Sequence, residues 1–401
     1  MKQVHGGAML RPLLLFLLIL FPLPARADDT AALQATLDAG KTVTLTPGRT
    51  YHIRRSLVIR HAGTGIMGDG TATLVMDSDA GAFDNASPSA HDRYGPNAVG
   101  IIARGIDRPI VQGVRITYSE GIDERYVKAI AFRDCTNIVL DHNEAWNFTK
   151  AWGIFYIGGS TGGSVSFNTI RDSTTNSATF GQITGIEFDN DDKPSSDIRV
   201  EGNDIHDLTV GPQFLEAFGY QTDGINTVRQ GTAHLVITGN RITHVGEAID
   251  HFGNSSVITE NRLSRCYDFC IKLIHGAQFN FVRGNEVSDA GLGGIVLAVS
   301  DKSPQDTMGN VITGNVISGI DPDHAWAGHQ SFGIGLMSVK GAPHGSRGNR
   351  IIGNLIDLRN TGAIGLRAVA RSGADNCFRA NLVLHAALRT ARLNPAVANC
   401  K

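Results

Sequence analysis

The stretch LVITGNRITHVGEAIDHFGNSSVITENRL, residues 235–263, contains two copies of one short pattern. Each copy is an apolar strand followed by an asparagine, one variable residue and an aliphatic residue, and its asparagine is Asn240 or Asn261. Between the copies lies a second pattern, in which a small residue precedes Ile249. Because successive residues of a strand face opposite sides, this stretch predicts two kinds of short strand joined by turns.

The asparagine pattern recurs through most of the chain, at spacings from 21 residues (240 to 261) to 39 residues (315 to 354). Asparagine tolerates left-handed backbone, and stacked amides can hydrogen-bond from repeat to repeat, so we expect one ladder at a turn. Repeats of this length and kind predict an all-β solenoid, a single-stranded right-handed parallel β-helix that is most regular over residues 129–385. The asparagines are Asn143, Asn168, Asn203, Asn240, Asn261, Asn285, Asn315, Asn354 and Asn381.

The second pattern also recurs and predicts one column of inward isoleucines. The residue after each isoleucine then faces outward, and Phe155 and Gly365 are among the predicted outward residues near the two ends. The isoleucines are Ile130, Ile154, Ile186, Ile225, Ile249, Ile271, Ile295, Ile334 and Ile364. Four consecutive outward positions are polar or charged, and they hold Glu187, Asn226, Asp250 and Lys272.

The N-terminal segment has the features of a signal peptide over residues 1–27, with an apolar run and a final Ala-Arg-Ala. The β-helix domain then extends over residues 28–401, and residues 28–40 predict a helix that caps the open end of the solenoid. No later segment is apolar enough over a sufficient length to span a membrane. We therefore expect a periplasmic or secreted protein without a membrane span.

Charge and cysteine content limit the partners and the compartment. Removal of residues 1–27 changes the formal net charge from −2 to −5, so no basic excess favours nucleic acid as a partner. We expect a monomer. Export permits disulfides, and we expect one between Cys377 and Cys400, with a second possible between Cys266 and Cys270. Five cysteines leave at least one thiol free.

Two segments near the N-terminus, DDTAALQATLDAGKTVTLTPGRTYHI (28–53) and GIMGDG (65–70), resemble the opening of the pectate-lyase-like superfamily of β-helix proteins. QTDGIN (221–226) is similar to the catalytic motif of polygalacturonases, which implies a catalytic role for Asp223; the Asp-Asp pair of that family corresponds here to Gly246 and Glu247. Residues 240–263 resemble a coil of mannuronan C5-epimerases, a match that falls on Asp250 and His251.

Connection lengths predict a groove around these residues. Long connections precede the strands at Ile225 and Ile334, and the connections between them are short. The predicted floor holds the candidate catalytic residues Asp223, Glu247, Asp250 and Lys272. The predicted substrate-binding residues are Glu187, Asn226, His251, Phe214, Tyr220 and Trp326. Aromatic residues of the long connections can stack on sugar rings or simply pack the loops down, and the sequence leaves both open.

The residue types permit two reactions. In hydrolysis one carboxyl group protonates the leaving oxygen and another activates water, and Glu187 and Asp250 are expected roughly 9–10 Å apart. In β-elimination or C5-epimerisation of a uronate, a base removes a proton after a cation neutralises the substrate carboxylate. Lys272 is the outward cation of the groove and is a candidate for either role, the base or the neutralising cation. The acidic run at Asp189, Asp191 and Asp192 is a weak candidate for Ca²⁺.

The sequence therefore predicts an exported carbohydrate-active enzyme that cleaves glycosidic bonds of a polysaccharide, expected to contain uronates, as a hydrolase or a lyase. A polysaccharide C5-epimerase and a non-catalytic carbohydrate-binding or scaffold β-helix are the alternatives. Enzyme and scaffold differ in one observable feature, namely whether Asp223, Glu247, Asp250 and Lys272 converge in one groove.

Overall fold

The chain winds into an all-β right-handed parallel β-helix, as the repeats predict. The computed structural model describes residues 28–77, 97–119, 126–176, 181–189, 193–228, 231–320, 330–338, 341–359, 362–368, 375–386 and 388–391. Three parallel sheets of 12 strands run along the solenoid, and each coil contributes one strand to each of them. The inward side chains of all three sheets form one continuous apolar core.

The strands of each sheet follow one another in chain order. The first sheet consists of Val43–Thr44, Gly65–Met67, Ile110–Gln112, Thr136–Asp141, Thr161–Ser166, Arg199–Glu201, Val236–Thr238, Val257–Thr259, Phe281–Arg283, Val311–Thr313, Arg350–Ile352 and Cys377–Arg379. The second sheet consists of Thr50–Ile53, Thr73–Met76, Arg115–Tyr118, Glu144–Trp146, Thr169–Thr175, Asp204–Val210, Arg241–Val245, Arg262–Cys266, Glu286–Ala290, Val316–Ile320, Leu355–Asp357 and Leu382–Leu384.

The third sheet carries the polar outward column. It consists of Leu57–Ile59, Asn97–Arg104, Tyr126–Arg133, Phe155–Gly158, Ile183–Asp189, Thr222–Thr227, Glu247–His251, Phe269–Leu273, Gly293–Val299, Phe332–Ser338, Ile364–Ala368 and Leu388–Ala391. A further pair of short strands, Thr307–Met308 and Ser346–Arg347, and a helix at Pro212–Phe218 lie in the connections.

The predicted N-terminal cap is a helix over Thr30–Asp38. Leu33 and Leu37 are buried on the core side of this helix. The Gln34 side chain accepts a hydrogen bond from the Val58 backbone N–H at 2.8 Å and donates one to the Val58 carbonyl at 3.0 Å. The helix thereby pairs backbone groups that would otherwise form an open sheet edge.

The predicted asparagine ladder is confirmed. Each side-chain amide donates to the amide oxygen of the asparagine in the next coil at 2.8–3.0 Å, and that oxygen also accepts the backbone N–H of the preceding asparagine. A second ladder was not predicted from the sequence; in it an asparagine stands directly before a first-sheet strand in four later coils. Its members are Asn280, Asn310, Asn349 and Asn376.

Replacing Asn261 with leucine is expected to lower the free energy of unfolding by about 2–4 kcal/mol, because buried backbone and amide groups lose their partners. The Asn261 amide donates to the Ile237 carbonyl at 3.0 Å and to Asn285, and its oxygen accepts from Asn240. Urea unfolding measures the change. The same substitution at Asn381, at the half-buried end of the ladder, is the control and should cost less. Equal costs would contradict a cooperative ladder.

The inward isoleucine column is confirmed from Ile186 to Ile334, and two coils differ from the predicted register. Phe155 occupies the column in its coil, so Tyr156 and not Phe155 is the next outward residue. Near the C-terminal end Leu366 takes the column position, and Arg367 replaces the predicted Gly365 as the outward residue.

Cysteines follow the expected pattern where the structure describes them. Cys266 and Cys270 form a disulfide with Cα atoms 5.3 Å apart, and Cys135 is a buried free thiol. Cys377 is disulfide-bonded, but Cys400 lies outside the described residues, so their pairing stays a prediction. The signal peptide at residues 1–27 also lies outside them. No helix in the described ranges combines the length and the apolar character that a membrane span requires.

Candidate active site

A bend in the third sheet creates two outward rows of side chains where a regular strand would give one. Ala248 and Ile249 are adjacent in sequence, yet both belong to the apolar core. Gly224 occupies the equivalent inward position one coil earlier, where a Cβ atom would lie 2.7 Å from the Ile242 side chain. The residue before this inward pair and the residue after it therefore project outward on the same side. This explains how side chains three residues apart, in a strand, come into contact.

Three carboxyl groups from adjacent coils meet at this bend. Asp223, Glu247 and Asp250 each place a carboxylate oxygen within 4.8 Å of one in each of the other two. Their residues are only 3%, 7% and 5% exposed. Register explains the arrangement, because Asp223 lies beside Glu247 and Asn226 lies beside Asp250 in neighbouring strands.

Lys272, one coil further, neutralises part of this negative charge. Its ammonium group donates a hydrogen bond to Glu247 and lies 3.0 Å from the Asp250 carboxylate. Its side chain is 16% exposed, more than either carboxylate that it contacts. Burial alone would lower the pKa of Lys272, but the Asp250 and Glu247 charges outweigh burial and raise it. The lysine is therefore charged at any pH at which the protein is assayed.

The electrostatics of the cluster keep protons on its carboxyl groups. Burial raises the pKa of Asp223 to about 7, with a further contribution from the Glu247 charge. Burial also raises the pKa of Asp250 well above its usual range, against the opposing effect of Lys272. Buried carboxyl groups this close cannot all ionise near neutral pH. Carboxyl groups with such shifted pKa values, gathered at one place, are typical of catalytic acids and bases.

Two amide side chains hold the Asp223 carboxylate in place. The Asn226 amide donates to it at 2.7 Å, and the Gln182 amide, from the preceding coil, also donates to it. Both donors favour the ionised form of Asp223. Asn226 was predicted to contact substrate, and the structure places it between Asp223 and Asp250. Gln182, which directly precedes the third-sheet strand at Ile183, was not predicted from the sequence.

The predicted wall of the groove is only partly present among the described residues. Tyr220 stacks on Tyr267 with ring centroids 4.3 Å apart and planes 16° apart. Burial raises the pKa of Tyr220 to about 12, so its hydroxyl keeps its proton. Phe214 was predicted to contact substrate, but it is completely buried and packs on Phe218. Trp326 lies outside the described residues.

Two further predicted substrate contacts are buried. His251 has no exposed surface, because it faces the turn where its Nε2 lies 3.2 Å from the Asn280 amide oxygen. Burial lowers the pKa of His251 to about 4. Glu187 is 1% exposed and sits against the backbone of Gly153, where a Cβ atom would lie 2.7 Å from that of Glu187. Neither side chain has appreciable exposed surface, and their contact with a substrate stays a prediction.

Two residues that were not predicted from the sequence lie beside the cluster. Asp268 is buried and its charge raises the pKa of Asp223 further. It lies inside the loop closed by the Cys266–Cys270 disulfide, which also presents Tyr267. His275 packs against Phe252, and burial together with the Lys272 charge lowers its pKa to about 4. The close spacing of Cys266 and Cys270 was the sequence feature that could have indicated this loop, because a disulfide between them holds the loop in a fixed shape.

Metal ligation is a second use for clustered carboxylates. Asp223, Glu247 and Asp250 could offer oxygens to a divalent cation. The Lys272 ammonium already lies against two of them, which is the position that such a cation would take. Of the weak calcium candidates, Asp189 is buried and belongs to no group of three ligands within the described ranges. Asp191 and Asp192 lie outside those ranges.

Comparisons with known proteins agree with this fold. Residues 184–366 match the family model of the right handed beta helix region. The catalytic domain of a GH87 α-1,3-glucanase in complex with nigerose superposes with a TM-score of 0.62 at 13% identity, over 94% of this chain and 66% of the glucanase chain. Endo-xylogalacturonan hydrolase from Aspergillus tubingensis superposes with a TM-score of 0.55 at 9% identity, over 93% of this chain and 95% of the hydrolase chain.

The Dettilon tailspike protein has the same fold, with a TM-score of 0.53 at 17% identity, over 90% of this chain and 66% of the tailspike chain. The chain thus spans just under two thirds of the glucanase and tailspike chains that it matches. Among curated proteins no sequence matches significantly. At these identities the likeness shows a shared right-handed parallel β-helix.

Proposed function

We propose that this right-handed parallel β-helix protein is a glycoside hydrolase that acts on a polysaccharide. One observation carries the proposal: Asp223, Glu247 and Asp250 converge with Lys272 on one outward site, and the carboxylate oxygens lie within 4.8 Å of one another. A scaffold protein needs no such convergence of buried charges. Because the structures that share the fold include enzymes named as glycan hydrolases, glycan cleavage is the first reaction to test.

The two aspartates have different surroundings, and these suggest different roles. Asp250 is the proposed general acid, because burial raises its pKa and its Oδ1 accepts no hydrogen bond from the described residues. It would protonate the leaving glycosidic oxygen. Asp223 is the proposed general base, since amide donors hold its carboxylate and its pKa is about 7. It would take a proton from the water that attacks the anomeric carbon. Because the carboxylate oxygens lie within 4.8 Å of one another, this water would sit beside the two carboxyl groups, since a water between them needs about 6.5–9.5 Å.

The remaining pair supports these two groups. Lys272 holds Glu247 and Asp250 through direct contacts, so it fixes the position of the acid. Elimination and epimerisation require a cation on the substrate carboxylate. Lys272 is already committed to two protein carboxylates, which favours hydrolysis over both. For the same reason a Lys272 variant disturbs every mechanism and cannot by itself distinguish them.

Export is part of the proposal. The predicted signal peptide at residues 1–27 would direct the chain out of the cytoplasm. The Cys266–Cys270 disulfide supports this, because disulfides persist in oxidising compartments such as the periplasm and the medium.

A panel of soluble polysaccharides tests the proposal. The purified protein is incubated with neutral and uronate-containing polymers, and two products are followed together: new reducing ends and the absorbance of unsaturated uronates. We expect reducing ends without unsaturated products on at least one polymer. Unsaturated products would assign a lyase, and turnover of no polymer would favour the scaffold alternative.

The pH dependence of kcat/KM is expected to be bell-shaped. Activity should rise as pH increases through about 7, where Asp223 ionises, and fall at higher pH, where Asp250 loses its proton. Initial rates in buffers of constant ionic strength measure the profile. The Asp223→Asn variant should lose the acid limb together with most of its activity. An acid limb centred near 4, the ordinary range of an exposed carboxyl group, would contradict the assigned base.

A further inference from the structure

We infer that the sugar residue bound at the carboxylate cluster is uncharged, so that the substrate is a neutral glycan and not a uronate polymer. The inference rests on the proposed glycoside hydrolase function and names its substrate class. It departs from the uronate-containing polymer expected from the sequence. Three features of the site carry it: the sign of its charge, the commitment of its cation, and the kind of hydrogen-bonding groups left open.

The site carries more negative than positive charge. Asp223, Glu247 and Asp250 lie together, and the charge of buried Asp268 acts on Asp223 from two coils further on. Lys272 is the cation that acts on both aspartates. Even with one proton retained by the cluster, acidic charges outnumber this lysine. A carboxylate on the bound sugar would add a further negative charge in a poorly solvated place, where like charges repel strongly.

The cation of the site is not available to a substrate. The Lys272 ammonium contacts Glu247 and Asp250 at once. Turning it toward a uronate would leave two buried carboxylates without their counter-ion, which is strongly unfavourable. His275 lies close enough to feel the Lys272 charge, and it is uncharged near neutral pH because burial and that charge lower its pKa to about 4.

One hydrogen-bonding group left open beside the cluster can only accept. The Asn226 Oδ1 atom is buried and accepts no hydrogen bond from the described residues. The orientation of the Asn226 amide follows from its other half, which donates to Asp223. A sugar hydroxyl group donates hydrogen bonds, so it would satisfy this acceptor. A uronate carboxylate at the same place only accepts, and would leave the Asn226 oxygen unsatisfied.

Matched pairs of glycans test the inference. Each neutral polymer of the panel is compared with the same polymer after oxidation of its primary alcohols to carboxylates, which changes charge and leaves linkage intact. We expect kcat/KM to be at least about 10-fold lower for the oxidised polymer than for its neutral partner. The difference between the two values should become smaller at high salt, because salt screens the repulsion. Faster turnover of the carboxylated partner overturns the inference and leaves the hydrolase proposal standing. Turnover of neither partner across the panel overturns both.

A charge variant tests the electrostatic cause. Asp268→Asn removes one negative charge beside Asp223 without removing a proposed acid or base. It should raise the rate on the oxidised polymer relative to the rate on its neutral partner by a few-fold. Glu286→Gln, on the exposed face of the second sheet, is the matched control and should leave the ratio unchanged. An equal ratio in both variants would contradict repulsion by the site. Should Asp268→Asn fold poorly, the salt series on the wild-type protein tests the same repulsion, and a ratio that does not change with salt would contradict it.

Discussion

Replacing Asp250 with asparagine is expected to lower turnover by about 10²–10⁴-fold, the usual contribution of a general acid or base. Asparagine keeps the shape of the side chain but cannot deliver a proton to the leaving oxygen. The protein should remain folded, because the raised pKa of Asp250 already favours its uncharged form in the native state. Initial rates on a confirmed substrate measure the loss, and a thermal unfolding curve checks that the variant is native.

A matched control separates chemistry from a general loss of charge. Asp306→Asn changes an aspartate that lies in the connection before Thr307 and contacts Arg347 at 3.2 Å, away from the cluster. It should retain wild-type turnover. Full activity of Asp250→Asn would show that the assignment of the acid is wrong, whatever the control does.

Replacing Lys272 with methionine is expected to lower the free energy of unfolding by about 3–5 kcal/mol at pH 8, because the buried carboxyl groups of Glu247 and Asp250 would lose their counter-ion. The loss should shrink toward pH 5. Burial raises the pKa of Asp250 in the folded state, so folding favours its protonated form, and that advantage is lost as pH rises through the folded pKa. Urea unfolding at both pH values measures the effect.

The control for this prediction removes all three ionisable groups together. The triple variant Glu247→Gln, Asp250→Asn and Lys272→Met should regain most of the stability lost by Lys272→Met, because the two groups that Lys272 contacts no longer need a counter-ion. Continued instability of the triple variant would mean that the lysine acts through packing of its aliphatic chain. A loss of unfolding free energy in Lys272→Met that does not depend on pH would also indicate that the lysine acts through packing.

The fold was predictable because its signal is local and repeated. An asparagine at the same place in each coil makes the same turn, so nine imperfect copies reinforce one register. The predicted strand register was wrong where two neighbouring residues are equally apolar and either could face the core. In GIFYIG both Ile154 and Phe155 are apolar, so the sequence does not say which enters the column. A shift of one residue then exchanges the inward and outward faces.

The site was predictable only in part, for a geometric reason. Alternation within a strand predicts the outward position of Asp250 and Lys272, and it does not predict the bend that places Glu247 and Asp223 beside them. From the sequence, the second carboxyl group of the hydrolytic pair was expected to be Glu187, which lies two coils from Asp250. The structure instead gathers carboxyl groups from adjacent coils. Asp268 has no repeat signature, because it lies within the disulfide-closed loop.

Loop side chains were the least predictable part of the site. Phe214 lies on the helix at Pro212–Phe218, and a helix inside a connection turns some of its residues toward the solenoid. Composition alone does not tell which aromatic residue is turned inward. Tyr220, just after the helix, is partly exposed and stacks on Tyr267, which lies two coils further on. This pair is the described aromatic surface nearest in sequence to Asp223, and it is the one we expect to contact a sugar ring.

Cleavage in heavy-oxygen water tests the central claim most directly, namely that Asp223 and Asp250 catalyse the attack of water on a glycosidic bond. A polymer of the panel that is turned over is digested in labelled water, and the fragments are analysed by mass spectrometry. The account predicts one heavy oxygen atom in each new reducing end formed by the wild-type protein, and a yield from Asp223→Asn that is smaller by at least about 100-fold, in keeping with the loss of a general base. Unlabelled fragments that are lighter by the mass of water, or an undiminished yield from Asp223→Asn, would contradict it.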